Sequence, residues 1–157
     1  MANSFQTLFN KIFPHKEEHT ELLKYSLFKN LNSRELQFVY NCLHHREFKA
    51  EEIIFEEGFP MEVIYFIESG EVELSSKKEP GKKLILKENE VFGLVDLFSE
   101  QKRRVTAKAL SDTTLLALTE SDFKELINRQ PSLGIKILWS SCQLLTKIIQ
   151  EKSQAFN

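Results

Sequence analysis

The chain has little of what marks a secreted or metal-bound scaffold: two cysteines, Cys42 and Cys142, in 157 residues. Two thiols so far apart in sequence supply neither a disulfide framework nor a zinc site. They read as small buried apolar residues in a reducing cytoplasm. A surplus of one charge is also missing. The 21 Lys and Arg nearly balance the 23 Asp and Glu, giving a formal net charge of −2, without the basic footprint of a domain that wraps nucleic acid. No apolar run approaches the roughly 20 residues of a membrane span. The N-terminus lacks the charged-then-apolar order of a secretory signal. Tryptophan is single, whereas phenylalanine numbers 13, so the core is predicted to be rich in Phe. These absences predict a cytoplasmic chain with one globular domain.

Three zones of hydrophobic period follow one another. Phe5, Leu8, Phe9, Ile12 and Phe13 recur at helical spacing and form one stripe, which Pro14 ends. Its polar face carries only Lys11, fewer cations than a membrane-surface helix needs, so docking on the domain or on a partner is expected. Glu18 to Tyr25 predicts a second helix. Asn32-Ser33-Arg34-Glu35 has the spacing of a capping box, and the helix it opens is expected to carry Leu36, Val39, Tyr40 and Leu43 on one face.

From Glu47 to Leu118 the pattern becomes short strands between turns. Ile53-Ile54-Phe55, Val63 to Ile67, Val72 and Leu74, Lys83 to Leu86, Val105 to Ala109 and Thr114 to Leu118 are punctuated by Gly58, Gly70 and Pro80-Gly81. Such spacing predicts an antiparallel sandwich or small barrel. Thr119 to Asp122 starts a further helix, and another is expected from Ser132 to about Lys152. On the last one, Leu138, Cys142, Leu145 and Ile149 form one stripe with Ile137, Leu144 and Ile148 beside it. That is broader than one core contact requires, and it predicts a second contact: a partner chain, a homodimer seam or a lid over a pocket.

This order of helices, glycine-punctuated strands and a closing amphipathic helix resembles the cyclic nucleotide-binding domain family from Phe28 to about Leu138. The matching pieces are Phe28-Lys29-Asn30-Leu31, Glu56-Glu57-Gly58, Tyr65 to Val72, and the run from Val91-Phe92-Gly93 through Arg103 to Ala109. The last run is similar to the family's phosphate-binding cassette and, from Gly93 to Ala109, aligns without a gap on its kinase-type form. The resemblance implies a mostly β fold, an eight-stranded jelly-roll barrel (double-stranded β-helix) with N-terminal helices and two C-terminal helices. It divides the chain into an N-terminal extension, 1–27, and the domain, 28–157, with the barrel at about 47–118 and the C-terminal helices at about 119–152.

The implied ligand is a cyclic nucleotide, cyclic AMP or cyclic GMP, with no metal and no other cofactor. A buried cyclic phosphate must be paired and hydrogen-bonded. Main-chain N–H groups after a tight glycine turn and one arginine fork supply those partners. The cassette positions are Gly93, Leu94, Val95, Asp96, Leu97, Arg103, Arg104 and Val105. The alignment gives Gly93 the turn, Arg103 the arginine place, and the N–H groups of Val95 to Phe98 a phosphate-facing role.

Three residues depart from the family's cassette. Leu94 stands where a glutamate accepts from the ribose 2′-hydroxyl, a loss of roughly 1.5–3 kcal/mol. Asp96 replaces a small residue, and a carboxylate about 5 Å from the phosphate would repel it by roughly 3 kcal/mol at a dielectric of ~20. Against the ~8 kcal/mol of a micromolar complex, both matter. Arg104 stands where a small or hydroxyl residue is common, so Asp96 is expected to point away or to pair with Arg103 or Arg104. In the frame, Ala50 and Asn89 replace two glycines, and asparagine tolerates the left-handed conformation.

Two functions therefore stay open. One is a stand-alone, non-enzymatic regulatory module that senses a cyclic nucleotide through Arg103 and shifts its last helix. The other is an interaction or scaffold domain whose cassette has closed on itself. A metal-dependent jelly-roll enzyme needs ligands on barrel strands, whereas His15, His19, His44 and His45 all precede the predicted barrel, with His44 and His45 placed at a helix end. The residues after Lys152 predict no DNA-binding helix-turn-helix.

Overall fold

The computed structural model describes residues 19–60, 62–99 and 102–154; the expected Phe5–Phe13 stripe, His15 and Glu100 lie outside them. A 3-10 helix, Thr20–Lys24, takes the place of the expected helix over residues 18–25. The capping box forms as its spacing predicts. Asn32 Oδ1 accepts from the Glu35 N–H at 3.0 Å and Glu35 Oε2 accepts from the Asn32 N–H at 2.9 Å, starting α1 (Ser33–Tyr40).

Eight strands follow: β1 (Leu43–Phe48), β2 (Ile53–Phe55), β3 (Val63–Ser69), β4 (Val72–Ser75), β5 (Lys83–Leu86), β6 (Val91–Phe92), β7 (Thr106–Ala109) and β8 (Thr113–Thr119). A short helix, α2 (Leu94–Ser99), lies between β6 and β7. Two helices close the described chain: α3 (Glu120–Arg129), capped by Thr119 Oγ1 on the Asp122 N–H at 3.0 Å, and α4 (Pro131–Gln154).

The strands make two antiparallel sheets, β1-β8-β3-β6 and β2-β7-β4-β5. This corrects the expected barrel, because among the described residues no ladder joins one sheet to the other and the result is an open roll. Apart from the β4–β5 hairpin, consecutive strands pass from sheet to sheet at corners. At the β3–β4 corner Gly70 has φ +93°, and a Cβ there would overlap Thr113 Oγ1 and lie 2.8 Å from the Asp112 carbonyl oxygen. At the β5–β6 corner Asn89 takes φ +70°, as its side chain tolerates; at the β1–β2 corner it is Glu51, not Ala50, that is left-handed, with φ +70°. The Ala50 N–H instead donates to Asp112 Oδ1 at 3.1 Å.

The first sheet begins earlier than expected. Leu43 leaves the α1 face to open β1 opposite Leu118, and His44 and His45 are strand residues rather than a helix end. They are exposed, and His44 Nε2 lies 3.0 Å from Asp122 Oδ2. The signal was masked because β1 buries so little of either face. The central strands of the same sheet, β8 and β3, are covered on both faces, which explains their unbroken apolar runs. Ile64, Phe66, Leu116 and Leu118 meet the helices, while Ile67 and Leu115 join Val72, Leu86, Phe92 and Ala107 between the sheets. Tyr25 ties the 3-10 segment to this core, donating from its hydroxyl to the Ile67 carbonyl at 3.2 Å and meeting Phe66 edge-on.

Helix α4 divides the predicted apolar stripe. Leu133 and Ile137 are buried, with Leu138, Leu144 and Leu145 packed beside them on the helical core. Ile135 and Trp139 are each 67% exposed, and Cys142 and Ile149 share their exposure. The expected seam of Leu138, Cys142, Leu145 and Ile149 thus mixes two faces. Among the described residues no helix is long and apolar enough to cross a membrane, and no group of three or more His, Cys, Asp and Glu is placed to hold a metal.

Candidate functional site

Arg103 is held in place through its main chain. Its N–H donates to the Phe59 carbonyl and its carbonyl accepts from the Gly58 N–H, both at 2.8 Å, so the β2–β3 loop grips the segment that leads into β7. The side chain runs inward and is only 4% exposed. Nη2 donates to the Val63 carbonyl at 2.8 Å, and the guanidinium carbon sits 3.9 Å over the Phe55 ring and 5.9 Å from that of Tyr65. Stacking on an aromatic face is favourable for a cation, but it satisfies no N–H. Arg103 Nε and Nη1 find no hydrogen-bond partner among the described residues. Burial pulls the guanidinium below its ordinary pKa, with Tyr65, Asp96 and Glu62 acting in the opposite direction.

Beside this group opens a cavity of about 420 Å³. Ile53, Ile54, Phe55, Phe59, Pro60, Val63 and Tyr65 give it apolar and aromatic walls, and Glu56, Glu62 and Arg103 are its charged groups. Mostly apolar walls with a few convergent polar groups are the usual make-up of a small-molecule site.

The remaining cassette positions fall into three groups. Gly93 takes φ +86°, and a Cβ on it would lie 2.8 Å from Arg103 Nη1 and 2.9 Å from the Val63 carbonyl oxygen. It is therefore glycine for its conformation and for the close approach of the arginine. Leu94 and Leu97 face the helical core, Leu94 being 3% exposed, and neither lines the cavity. The Leu97 N–H donates to the Gly93 carbonyl at 3.3 Å, so it is spent within the turn, contrary to the expected phosphate-facing role. Val95 points outward and is exposed, and Val105 is half-buried.

Asp96 is 6% exposed, and its Oδ1 accepts from Arg104 Nε at 3.1 Å. Of the two arginines that the sequence offered it, Asp96 takes Arg104. The residues that sequence reasoning did not single out are Phe55, Phe59, Tyr65 and Glu62. Aromatic and acidic residues beside strands carry no motif, and only the pleat of β3 decides that Tyr65 faces the cavity while Phe66 faces the helices.

The family model for the cyclic nucleotide-binding domain matches residues 45–130, more than half of the chain. The chain belongs to the cyclic nucleotide-binding domain family. Within that family it is 32% identical over 108 residues to the cyclic AMP receptor protein of Thermus thermophilus, a match covering 67% of this chain and 50% of that protein. The crystal structure of the Thermus thermophilus catabolite activator protein superposes with a TM-score of 0.73 at 28% identity, over 83% of this chain and 61% of that one. A cyclic nucleotide-binding domain from Methylobacillus flagellatus shares the fold, with a TM-score of 0.77 at 20% identity over 90% and 82% of the two chains. The chain spans half or less of the curated relatives it matches.

Proposed function

We propose that this cyclic nucleotide-binding domain is a non-enzymatic regulatory module that senses a small anion, a cyclic nucleotide in the family's manner, at Arg103. The observation that carries this reading is a pair of nitrogens, Arg103 Nε and Nη1, that have no hydrogen-bond partner among the described residues, on a buried cation beside an open cavity. An unpaired buried charge is costly, and an anion entering the cavity offsets that cost. The Asp96–Arg104 pair supports the same reading, since the carboxylate that threatened the site is engaged elsewhere. The output is a change in the α4 surface: a ligand that favours one helix position over another shifts the population between them. The exposed face of α4 then meets a protein partner or a second copy of the chain.

The test is thermal unfolding with cyclic AMP, cyclic GMP and cyclic dinucleotides, with Arg103→Lys as control. A ligand present at 100 times its Kd adds about 2.7 kcal/mol of stability. A rise in Tm that the variant loses supports the reading, and no response from any of them overturns it. The second reading, an interaction domain with a silent cassette, is favoured by Leu94: the place the family gives to its glutamate is turned into the core. That reading predicts no ligand response and an unimpaired α4 surface.

A further inference from the structure

We infer that the Arg103 cavity selects organic ions with one negative charge at one end, a flat apolar body, and an outer end that is neutral or cationic. The inference rests on the reading of this cavity as a ligand site and adds its selectivity. Three observations carry it. The cation is at the inner end: Arg103 is 4% exposed, and two of its nitrogens have no hydrogen-bond partner among the described residues. The walls are apolar and partly uncovered, with Ile53 43% and Phe59 57% exposed and Phe55 beneath the guanidinium. A ring laid along them takes apolar surface from water. The outer end is acidic, because Glu56 and Glu62 line the same cavity and both are exposed.

The three charged groups of the lining sum to one net negative charge. A single anionic group seated on Arg103 is tolerated because its partner is adjacent and desolvated. A second anionic group at the far end of a ring meets two carboxylates and, among the described lining residues, no second cation. Rejection by like charge is a recognised source of specificity. A hydroxyl, amide or ammonium in that position finds acceptors instead. On this reading the site accepts a cyclic mononucleotide and discriminates against ligands with a second anionic group at their outer end.

A matched series on one ring tests the idea with the full chain: benzoate, 4-(aminomethyl)benzoate and terephthalate, with Kd measured by ligand-observed NMR at pH 7.5. The expected order of affinity is 4-(aminomethyl)benzoate, then benzoate, then terephthalate, each step at least threefold. In the Glu56→Gln/Glu62→Gln variant the order collapses to within twofold. Because both substitutions lie on exposed side chains, the variant is expected to fold, and its unfolding midpoint checks this. Terephthalate binding as tightly as benzoate, or an order unchanged by the double substitution, overturns the inference while leaving Arg103-dependent binding intact. If neither the series nor cyclic AMP binds in an Arg103-dependent way, the ligand-site reading and the inference fall together.

Discussion

Gly93 and Arg103 interlock: a single carbon added to Gly93 would stand 2.8 Å from the Nη1 of an arginine ten positions later. Neither residue reaches its place without the other's shape. Gly93→Ala is therefore expected to destabilise by at least the ~1–3 kcal/mol of a strained backbone conformation. The overlap with the Val63 carbonyl oxygen, which is main chain and cannot swing aside, adds to that. Urea denaturation reads the stability loss, and anion titration reads the displaced guanidinium.

Arg104 and Asp96 set a different expectation. Arg104 is mostly exposed, but the Asp96 side chain is only 8% exposed, so removing Arg104 takes a partner from a buried carboxylate and costs about 1–3 kcal/mol in stability. Binding is affected as well, because the Asp96 carboxylate lies close enough to influence the Arg103 guanidinium. Arg104→Ala should weaken anion binding severalfold and lower the unfolding midpoint, as calorimetry beside denaturation would show.

A third expectation concerns pH. Lys136 on α4 reaches both oxygens of Glu35 at 2.8 and 2.9 Å, tying the last helix to the capping box of α1. Burial raises the Glu35 pKa, but the Lys136 hydrogen bond and the Asn32 N–H outweigh it and hold the carboxyl below its ordinary 4.5. Asp122 is likewise depressed, by hydrogen bonds from Thr119 and His44. For an acid with a lowered folded pKa, the stabilisation is fully present above the unfolded value. It is lost as pH falls through the folded value. Stability should thus be level from pH 7 to about 5 with respect to these groups and decline below about 4.5, the ordinary value of Glu35. Glu35→Gln removes part of that decline in denaturation curves run across the range.

The exposed face of α4 gives the fourth. Ile135, Trp139, Cys142 and Ile149 follow one another at steps of four, three and seven, the seam spacing of a coiled coil. A homodimer through this face predicts that Trp139→Glu yields a slower-sedimenting species at the same concentration. It also predicts that mild oxidation joins two chains through Cys142. Sedimentation unchanged by Trp139→Glu assigns the face to another partner.

The fold was legible where one local rule dominated. The capping box at Asn32, the Pro80-Gly81 turn and the unbroken apolar runs of β3 and β8 each follow from short-range chemistry. What escaped was set at long range. β1 carries His44, His45, Arg46 and Glu47 in its interior, a polar stretch that is a strand only because β8 supplies its ladder. Closure of the roll was expected from family resemblance, whereas sheet edges are decided by pairings that no local pattern encodes. In the candidate site, Arg103 was picked out by its place in the cassette. Its aromatic bed was not, because Phe55 and Tyr65 come from different sheets and meet only after the roll has formed.

The pairing of Leu43 with Leu118 makes the first strand wait for the last. On a ribosome, β1 emerges with no ladder to join and stays an open edge until Thr113–Thr119 has been synthesised. Contacts of such long sequence separation slow folding, and an exposed strand edge invites pairing with other chains. The four polar residues at the centre of β1, His44 to Glu47, keep that waiting edge hydrated and charged, so the same residues that hid the strand from sequence reading protect the nascent chain from aggregation.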